Sequence, residues 1–300
     1  MRILLTGTSG QVGGALLPYL SERFDVLAPR RDQFDLTVPE RLPSELDRLR
    51  PDLIINPAAF TSVERAEDEP ELALVVNAEA PRAMARWAAR HDVPLVHFST
   101  DYVFDGSGET PWREDDACNP LSTYGRSKWE GERAVQASGA SHLIIRTSWV
   151  YAAAGNDFLR TIIRQAKEQD ELRVVADQFG APTSAASIGR SVSAIIAQHP
   201  SPRQLSASFA RAGDVVHLAN SGSTSRHGFA SAIVEGLRAR GQAIKARRVR
   251  ATTTSEYPSR VRRPANSRLD LTRLREVFGV VTPSWQEALA SELDLLGAGE

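Results

Sequence analysis

Tyr124 and Lys128 stand four residues apart, with Gly125, Arg126 and Ser127 between them. At that spacing both side chains fall on one face of a helix. An ammonium beside a phenol favours the phenolate and lowers the phenol pKa. The pair therefore predicts a tyrosine that passes a proton to a carbonyl oxygen, or takes one from an alcohol, near neutral pH. The same spacing also arises on ordinary helix surfaces, so its meaning depends on what accompanies it. The run His97-Phe98-Ser99-Thr100-Asp101-Tyr102-Val103-Phe104 places hydroxyls at the carboxyl end of an apolar strand, and Thr100 lies 24 residues before Tyr124. Ligands bind at that edge in parallel α/β sheets.

A second constellation lies near the N-terminus. Gly7-Thr8-Ser9-Gly10-Gln11-Val12-Gly13 follows an apolar strand and opens a helix. Glycines there permit a tight turn and bring backbone N–H groups close to a diphosphate, at a helix end whose potential favours anions. The spacing is Gly-x-x-Gly-x-x-Gly, not the commoner Gly-x-Gly-x-x-Gly. The position, strand before and helix after, selects dinucleotide binding over a plain turn. Gly7, Gly10, Gln11, Val12 and Gly13 are thus expected cofactor contacts. The second strand ends in Ala28-Pro29-Arg30-Arg31-Asp32. An arginine at that place accepts a ribose 2′-phosphate, whereas a carboxylate holds a 2′-hydroxyl. The arginines predict NADPH with Arg30 as the contact, and Asp32 leaves NADH possible.

These groups need a scaffold. Ile3 to Thr6, Phe24 to Ala28, Leu53 to Asn56, Leu95 to Ser99 and Leu143 to Arg146 read as strands. Gln11 to Arg23, a segment ending near Arg50, Glu71 to His91 and Tyr124 to Val135 read as the helices between them. Such alternation predicts an α/β fold of the Rossmann type, a doubly wound parallel sheet with right-handed crossovers. Residues 1–150 are expected to form the NADP-binding domain, and 151–300 mainly a smaller substrate-binding lobe, with some later segments returning to the first. In that second part Leu172 to Ala176 and Val215 to Leu218 read as strands. Ser187 to Ala197, Gly228 to Arg240 and Trp285 to Leu296 read as helices. Pro182 to Ser184, Ala219 to Ser223 and Thr252 to Ser255 read as loops.

Composition limits the function classes. Of 300 residues, 42% are hydrophobic and 24% charged, with a net charge of −1, which describes a globular chain without the bulk charge of a nucleic-acid or membrane binder. The single Cys118 excludes an intramolecular disulfide framework and suits a reducing compartment. The opening Met1 to Gly7 is too short for a signal-peptide core, and no apolar run approaches the ~20 residues of a membrane helix. A cytoplasmic protein is expected. The six histidines show no metal spacing, so no metal is expected. Residues 245–268 carry eight cations, among them Arg262 and Arg263, against Glu256 alone. With the whole chain neutral, a diphosphate or structural role for Arg262 and Arg263 is preferred to nucleic acid.

The hydroxyl–Tyr–Lys set resembles that of short-chain dehydrogenase/reductases, and the chain as a whole resembles their extended branch. More closely it resembles the dTDP-4-dehydrorhamnose reductase family. The strings are Gly10 to Gly13, Ser99 to Phe104, Arg146-Thr147-Ser148-Trp149-Val150-Tyr151, Asp177 to Thr183 and Arg262-Arg263-Pro264-Ala265-Asn266-Ser267-Arg268-Leu269. They occur in the family's order along nearly the whole chain.

The resemblance implies hydride delivery from a nicotinamide to the C4 ketone of a nucleotide sugar, dTDP-4-dehydro-L-rhamnose, the last step of dTDP-rhamnose synthesis. It implies that Tyr124 protonates the ketone oxygen, that Lys128 lowers the Tyr124 pKa and holds the nicotinamide ribose, and that Thr100 hydrogen-bonds the reacting oxygen. Asp101 and Trp149 would position the sugar, Trp149 by its flat face and indole N–H. Ala58, Ala59 and Thr61 would line the cofactor, and Asp35 and Leu36 would sit by the adenine. Related 4,6-dehydratases carry Thr-Asp-Glu at the strand end; Tyr102 here removes that general base. Some relatives dimerise through magnesium held by glutamates, one at the place of Ala15 and another near Ala186, where this chain has no carboxylate, so a monomer or a weak homodimer without a metal bridge is expected. The same likeness admits two other readings: a 4-ketoreductase for another dTDP-deoxysugar, and a non-catalytic NADP-binding subunit like that of methionine adenosyltransferase.

Overall fold

The computed structural model describes residues 1–155, 157–256 and 259–297. The end of the expected second lobe, residues 298–300, lies outside the described residues. The first half contains strands β1 (Arg2–Leu5), β2 (Asp25–Leu27), β3 (Leu53–Asn56), β4 (Leu95–Thr100) and β5 (His142–Thr147). Between them run helices α1 (Gln11–Ser21), α2 (Leu42–Leu49), α3 (Val63–Asp68), α4 (Pro70–Leu74), α5 (Ala80–Arg90) and α6 (Thr123–Gln136). Then follow β6 (Val150–Tyr151), α7 (Phe158–Glu168), β7 (Glu171–Val175), β8 (Phe179–Gly180), β9 (Thr183–Ser184), α8 (Ala185–Ala197), α9 (Pro202–Arg211) and β10 (Val215–His217). The chain continues through β11 (Thr224–Ser225), α10 (Arg226–Ala239), β12 (Arg248–Thr252), β13 (Asn266–Ser267), α11 (Thr272–Phe278) and α12 (Trp285–Gly297).

Six strands form one parallel sheet in the order β10-β5-β4-β3-β1-β2. The alternation read from the sequence is therefore present as a doubly wound α/β sheet. Successive side chains of a strand point to opposite faces. Ile3, Leu5, Leu53, Ile55, Val96, Phe98, Leu143 and Ile145 pack beneath α1, α8, α9 and α11. Leu4, Ile54, Leu95 and Ile144 pack under α2, α5 and the end of α6. All these side chains are buried, which is why the strands read as continuous apolar runs rather than as alternating ones. The chain passes from β1 to β2 on one side and then places β3 on the other. The crevice between the β1 and β3 ends is thus the topological switch point, where such sheets bind ligands.

A separate core gathers Tyr151, Leu159, Ile162, Leu172, Phe229, Ile233, Trp285 and Leu289 from β6, α7, β7, α10 and α12. Short pairings of β7 with β12 and of β8 with β11 and β13 edge it. Pro182 to Ser184, expected as a loop, supplies β9, which pairs with β6. Thr252, expected in a loop, closes β12. The helix expected over Glu71 to His91 is interrupted by a π-helical turn at Val75–Glu79. There the buried Asn77 turns aside to bind both the N–H and the carbonyl of Phe60, at 2.8 and 3.0 Å, and Ser127 Oγ at 2.9 Å. Extra residues in a helical turn are a common way to aim one side chain out of register.

The helix carrying Tyr124 and Lys128 is fastened to the sheet by a buried ion pair. Arg146 on β5 forks onto Glu132 on α6, with Nε–Oε1 at 2.9 Å and Nη2–Oε2 at 2.7 Å, and neither side chain is more than 5% exposed. Arg146 also donates to the Glu114 carbonyl at 3.1 Å and lies over the Phe104 ring. Removing one partner of such a pair leaves an uncompensated buried charge, so Glu132→Gln should lower unfolding free energy by about 3–5 kcal/mol. Urea unfolding at neutral pH measures this; a loss under about 1 kcal/mol, the worth of a surface pair, would show that the pair does not anchor α6.

Candidate active site

A cleft of about 1640 Å³ opens at the carboxyl ends of the strands. It exceeds the roughly 300–1,000 Å³ of a site for one small ligand, so it has room for two side by side. Gln11, Val12, Ala59, Thr61, Thr100, Asp101, Tyr124, Lys128, Trp149 and Arg262 all line it. Of the expected residues, Gly7, Gly10, Gly13, Ala58, Arg30, Asp35 and Leu36 stand outside that lining.

The glycine loop is shaped by close approach. Gly7 adopts φ +60°, and a Cβ on it would lie 2.9 Å from Ala58 Cα; a Cβ on Gly13 would lie 2.2 Å from the Gly7 carbonyl oxygen. Loop and β3 end are thus pressed together at the switch point. Helix α1 is entered from Gly10 with no side-chain cap, as are α2, α4, α5 and α11, whereas α6, α7, α8, α9 and α10 are each capped by a serine or aspartate side chain. The first N–H groups of α1 are therefore left for another acceptor. Gln11 donates from Nε2 to Asp157, which also caps α7, so the loop is tied directly to the second core.

On the adenine side, Arg30 is 77% exposed and paired with Asp32 at 3.1 Å. The Asp35 carboxylate accepts from the N–H and hydroxyl of Thr37, at 2.9 and 2.8 Å. Leu36 is buried in the core beneath α2 and α5.

At the end of β4, Thr100 Oγ1 donates to Asp101 Oδ1 at 3.1 Å and accepts from the Tyr102 N–H at 3.2 Å. Tyr124 sits in the first turn of α6, fixed by the Ser122 cap and by Glu67, which binds the N–H and hydroxyl of Thr123 at 2.8 and 2.6 Å. Its ring meets that of Tyr102 edge-on at 5.5 Å. Lys128 is buried and donates from Nζ to the Phe98 carbonyl at 2.6 Å.

The electrostatics correct one expectation. Burial pushes the Tyr124 phenol above its ordinary value, with the Thr100 hydroxyl opposing and the Asp101 charge adding to the rise. Lys128 is not among the groups that set this rise, and its ammonium donates to the Phe98 carbonyl. Burial brings Lys128 itself down to about 8, against the Glu132 charge. Burial likewise lifts the Asp101 carboxyl to about 6, with the Ser267 and Thr100 hydroxyls and the Arg226 charge opposing. A phenol that keeps its proton at neutral pH suits an acid serving a ketone.

Arg260 and Arg263 line the cleft beside Arg262 and are engaged across it by α3: Arg260 pairs with Asp68 at 2.7 Å, and Arg263 with Glu64. Trp149 follows β5 with φ +48°. Its ring carries the Arg226 guanidinium at 3.7 Å from the centroid, so the face expected to hold the sugar is covered by a cation. The sequence reading did not pick out Arg226, nor Asp157 and Thr147 in the cleft lining. The available signal for Arg226 was Ser225, a cap residue that starts α10 two residues before the helix expected from Gly228.

The family model for the RmlD substrate binding domain matches residues 1–297. A dTDP-4-dehydrorhamnose reductase of Burkholderia thailandensis is 43% identical over 96% of this chain and 97% of its own length. The crystal structure of a dTDP-4-dehydrorhamnose reductase from Clostridium acetobutylicum superposes with a TM-score of 0.89 at 34% identity, covering 99% of this chain and 100% of that one. The Bacillus anthracis reductase, solved in complex with NADP, gives 0.87 at 32% identity over 98% and 99%. The hydroxyl–Tyr–Lys set, the glycine loop at the switch point and this match along both full lengths agree: the chain belongs to the RmlD substrate binding domain family, together with relatives named dTDP-4-dehydrorhamnose reductase.

Proposed function

We propose that this chain reduces the C4 ketone of dTDP-4-dehydro-L-rhamnose with NADPH, giving dTDP-L-rhamnose. The observation that carries the reading is the meeting of Thr100, Tyr124 and Lys128 with the uncapped start of α1 in one cleft, within a chain of this family. The loop fits a dinucleotide, since Gly7 and Gly13 let it fold tightly against Ala58 and itself at the switch point, with the start of α1 left without a side-chain cap. Gly7, Gly10, Gln11, Val12 and Gly13 would hold the diphosphate. Ala58, Ala59 and Thr61 would run along the cofactor, Asp35 and Leu36 would flank the adenine, and Arg30 would leave Asp32 for the 2′-phosphate. When bound, the reduced nicotinamide supplies the hydride.

Tyr124 gives its proton to the ketone oxygen as the carbon–hydrogen bond forms. Thr100 turns its hydroxyl from Asp101 toward that oxygen, so developing negative charge meets a fixed donor. Lys128 holds the nicotinamide ribose. Asp101 and Trp149 position the sugar, Trp149 by its edge and indole N–H, and Arg262 meets the diphosphate. In this reading residues 1–150, joined by β10, α8, α9 and α11, serve the cofactor, and the rest of 151–300 mainly serves the substrate. The assembly is a monomer or weak homodimer without a metal bridge, since Ala15 and Ala186 offer no oxygen ligand. The cytoplasm, where thiols such as Cys118 stay reduced, is its place. No helix among the described residues is long and apolar enough to cross a membrane.

The test is NADPH oxidation with enzymatically generated dTDP-4-dehydro-L-rhamnose and chromatography of the product against dTDP-L-rhamnose. Turnover to that product is expected; NADPH binding without turnover would sink the reading. Tyr124→Phe should lower kcat by roughly 10²–10⁴-fold, the range of general-acid contributions, with NADPH affinity retained. Near-normal turnover would show that another group donates the proton. Arg30→Asp should weaken NADPH binding more than NADH binding, and equal losses in fluorescence titrations would remove the 2′-phosphate from Arg30.

A further inference from the structure

Arg226, the first residue of α10, lines the cleft and takes no part in the hydroxyl–Tyr–Lys set. Its guanidinium carbon lies 3.7 Å from the centroid of the Trp149 ring and 5.2 Å from that of Phe158. The other face of Trp149 is also covered. A Cβ on Gly180 would lie 2.7 Å from Trp149 Cε2 and 3.0 Å from both Cζ2 and Nε1, which places it over the ring and not at its edge. Those indole atoms are the nearest it would meet. A guanidinium on the same face would be nearer still, so the Gly180 backbone and Arg226 occupy opposite faces. Trp149 is a clamped plate, held in a left-handed backbone conformation, and it backs the guanidinium.

Among the described residues no acceptor is hydrogen-bonded to that guanidinium, and the groups whose charge acts on it are Tyr102, Arg263 and Asp101. The Asp101 carboxyl is 2% exposed; Oδ1 accepts from Thr100, and the Ser267 hydroxyl also acts on it. A fork of N–H donors therefore lines the same cleft as Thr100, Asp101 and Tyr124. A hydroxyl both donates and accepts, whereas a diphosphate only accepts. A diphosphate would be repelled by the Asp101 carboxylate and suits the arginines of residues 260–263 instead. A donor fork facing a carboxylate is the chemistry that reads neighbouring hydroxyls of a sugar ring.

We propose that Arg226, backed by Trp149 and acting with Asp101, is a specificity-determining residue that donates to the sugar hydroxyls beside the reacting ketone. The inference rests on the reductase reading and deepens it. Its planar fork is required, since a lysine can neither stack on the indole nor donate in a fork.

The experiment is calorimetric titration of dTDP, which lacks the sugar, and of dTDP-L-rhamnose into the unaltered chain, Arg226→Gln and Arg226→Lys. Affinity for dTDP should stay within about twofold. Affinity for dTDP-L-rhamnose should fall roughly 10–100-fold in both variants, the loss expected for hydrogen bonds from a charged donor. Asp101→Asn should cost less in the Arg226→Gln background than alone, as for groups that share one ligand. Unchanged NADPH affinity shows that the variants are folded. Equal losses for dTDP and dTDP-L-rhamnose would assign the guanidinium to the diphosphate, and no loss for either would leave it only a support for Trp149; each overturns the proposal. If the unaltered chain bound dTDP-L-rhamnose no better than dTDP, the reductase reading itself would fall.

Discussion

The ammonium of Lys128 lies beneath the end of β4, and much of the surrounding structure follows from keeping it there. A buried charge is tolerated only when fixed dipoles and an opposite charge replace the water it loses. The Phe98 carbonyl supplies the dipole at 2.6 Å, and Glu132, one turn along α6, supplies the charge. Glu132 is itself buried and needs Arg146. Arg146 in turn meets Glu114 and Cys118 and packs on Phe104. A polar chain thus runs from the cleft through the sheet, with each member holding the next, and it sets the depth and rotation of α6. Tyr124 inherits its place from that setting.

The second constraint is the junction of two cores at one sheet edge. The glycine loop and the β3 end meet in the first, while α7, α10 and β8 bring Phe158, Arg226 and Gly180 from the second. Gln11 and Asp157 tie the two together at the loop itself. The cleft is therefore not a gap between loosely joined parts. Its cofactor side is held by backbone contact and its sugar side by stacked planar groups, which suits a reaction needing two ligands in fixed relation.

What could be read from the sequence was what depends on neighbours along the chain. β3 was legible to the residue at Leu53–Asn56, because a fully buried parallel strand is an unbroken apolar run. The glycine loop and the Tyr124–Lys128 spacing are equally local. The π-helical turn at Val75–Glu79 was not legible: the periodicity of 71–91 is helical, and the turn exists because Asn77 binds the backbone of Phe60 from another segment. The setting of the Tyr124 pKa was not legible for the same reason. Spacing reports that Lys128 is near, and only burial and the competing Phe98 carbonyl decide what its charge does. Arg226 gains its meaning from Trp149, 77 residues earlier in the numbering, and from Gly180 behind it. No pattern local to Ser225-Arg226-His227 carries that.

The return of the chain to the first sheet has a consequence for its synthesis. One face of β1, β3, β4 and β5 is covered by α1 together with Ile188, Val192, Ile195 and Ile196 of α8, Leu205 and Phe209 of α9, and Leu274 and Phe278 of α11. When the ribosome has made the first 150 residues, Thr100, Tyr124 and Lys128 are all present, yet much of that apolar face has nothing to lie against. Closure waits for the chain to emerge almost to its end, and contacts so distant in sequence form slowly. Until then that apolar face stays open, so the first 150 residues are not a free-standing cofactor module: their core is completed by helices from the far end of the chain.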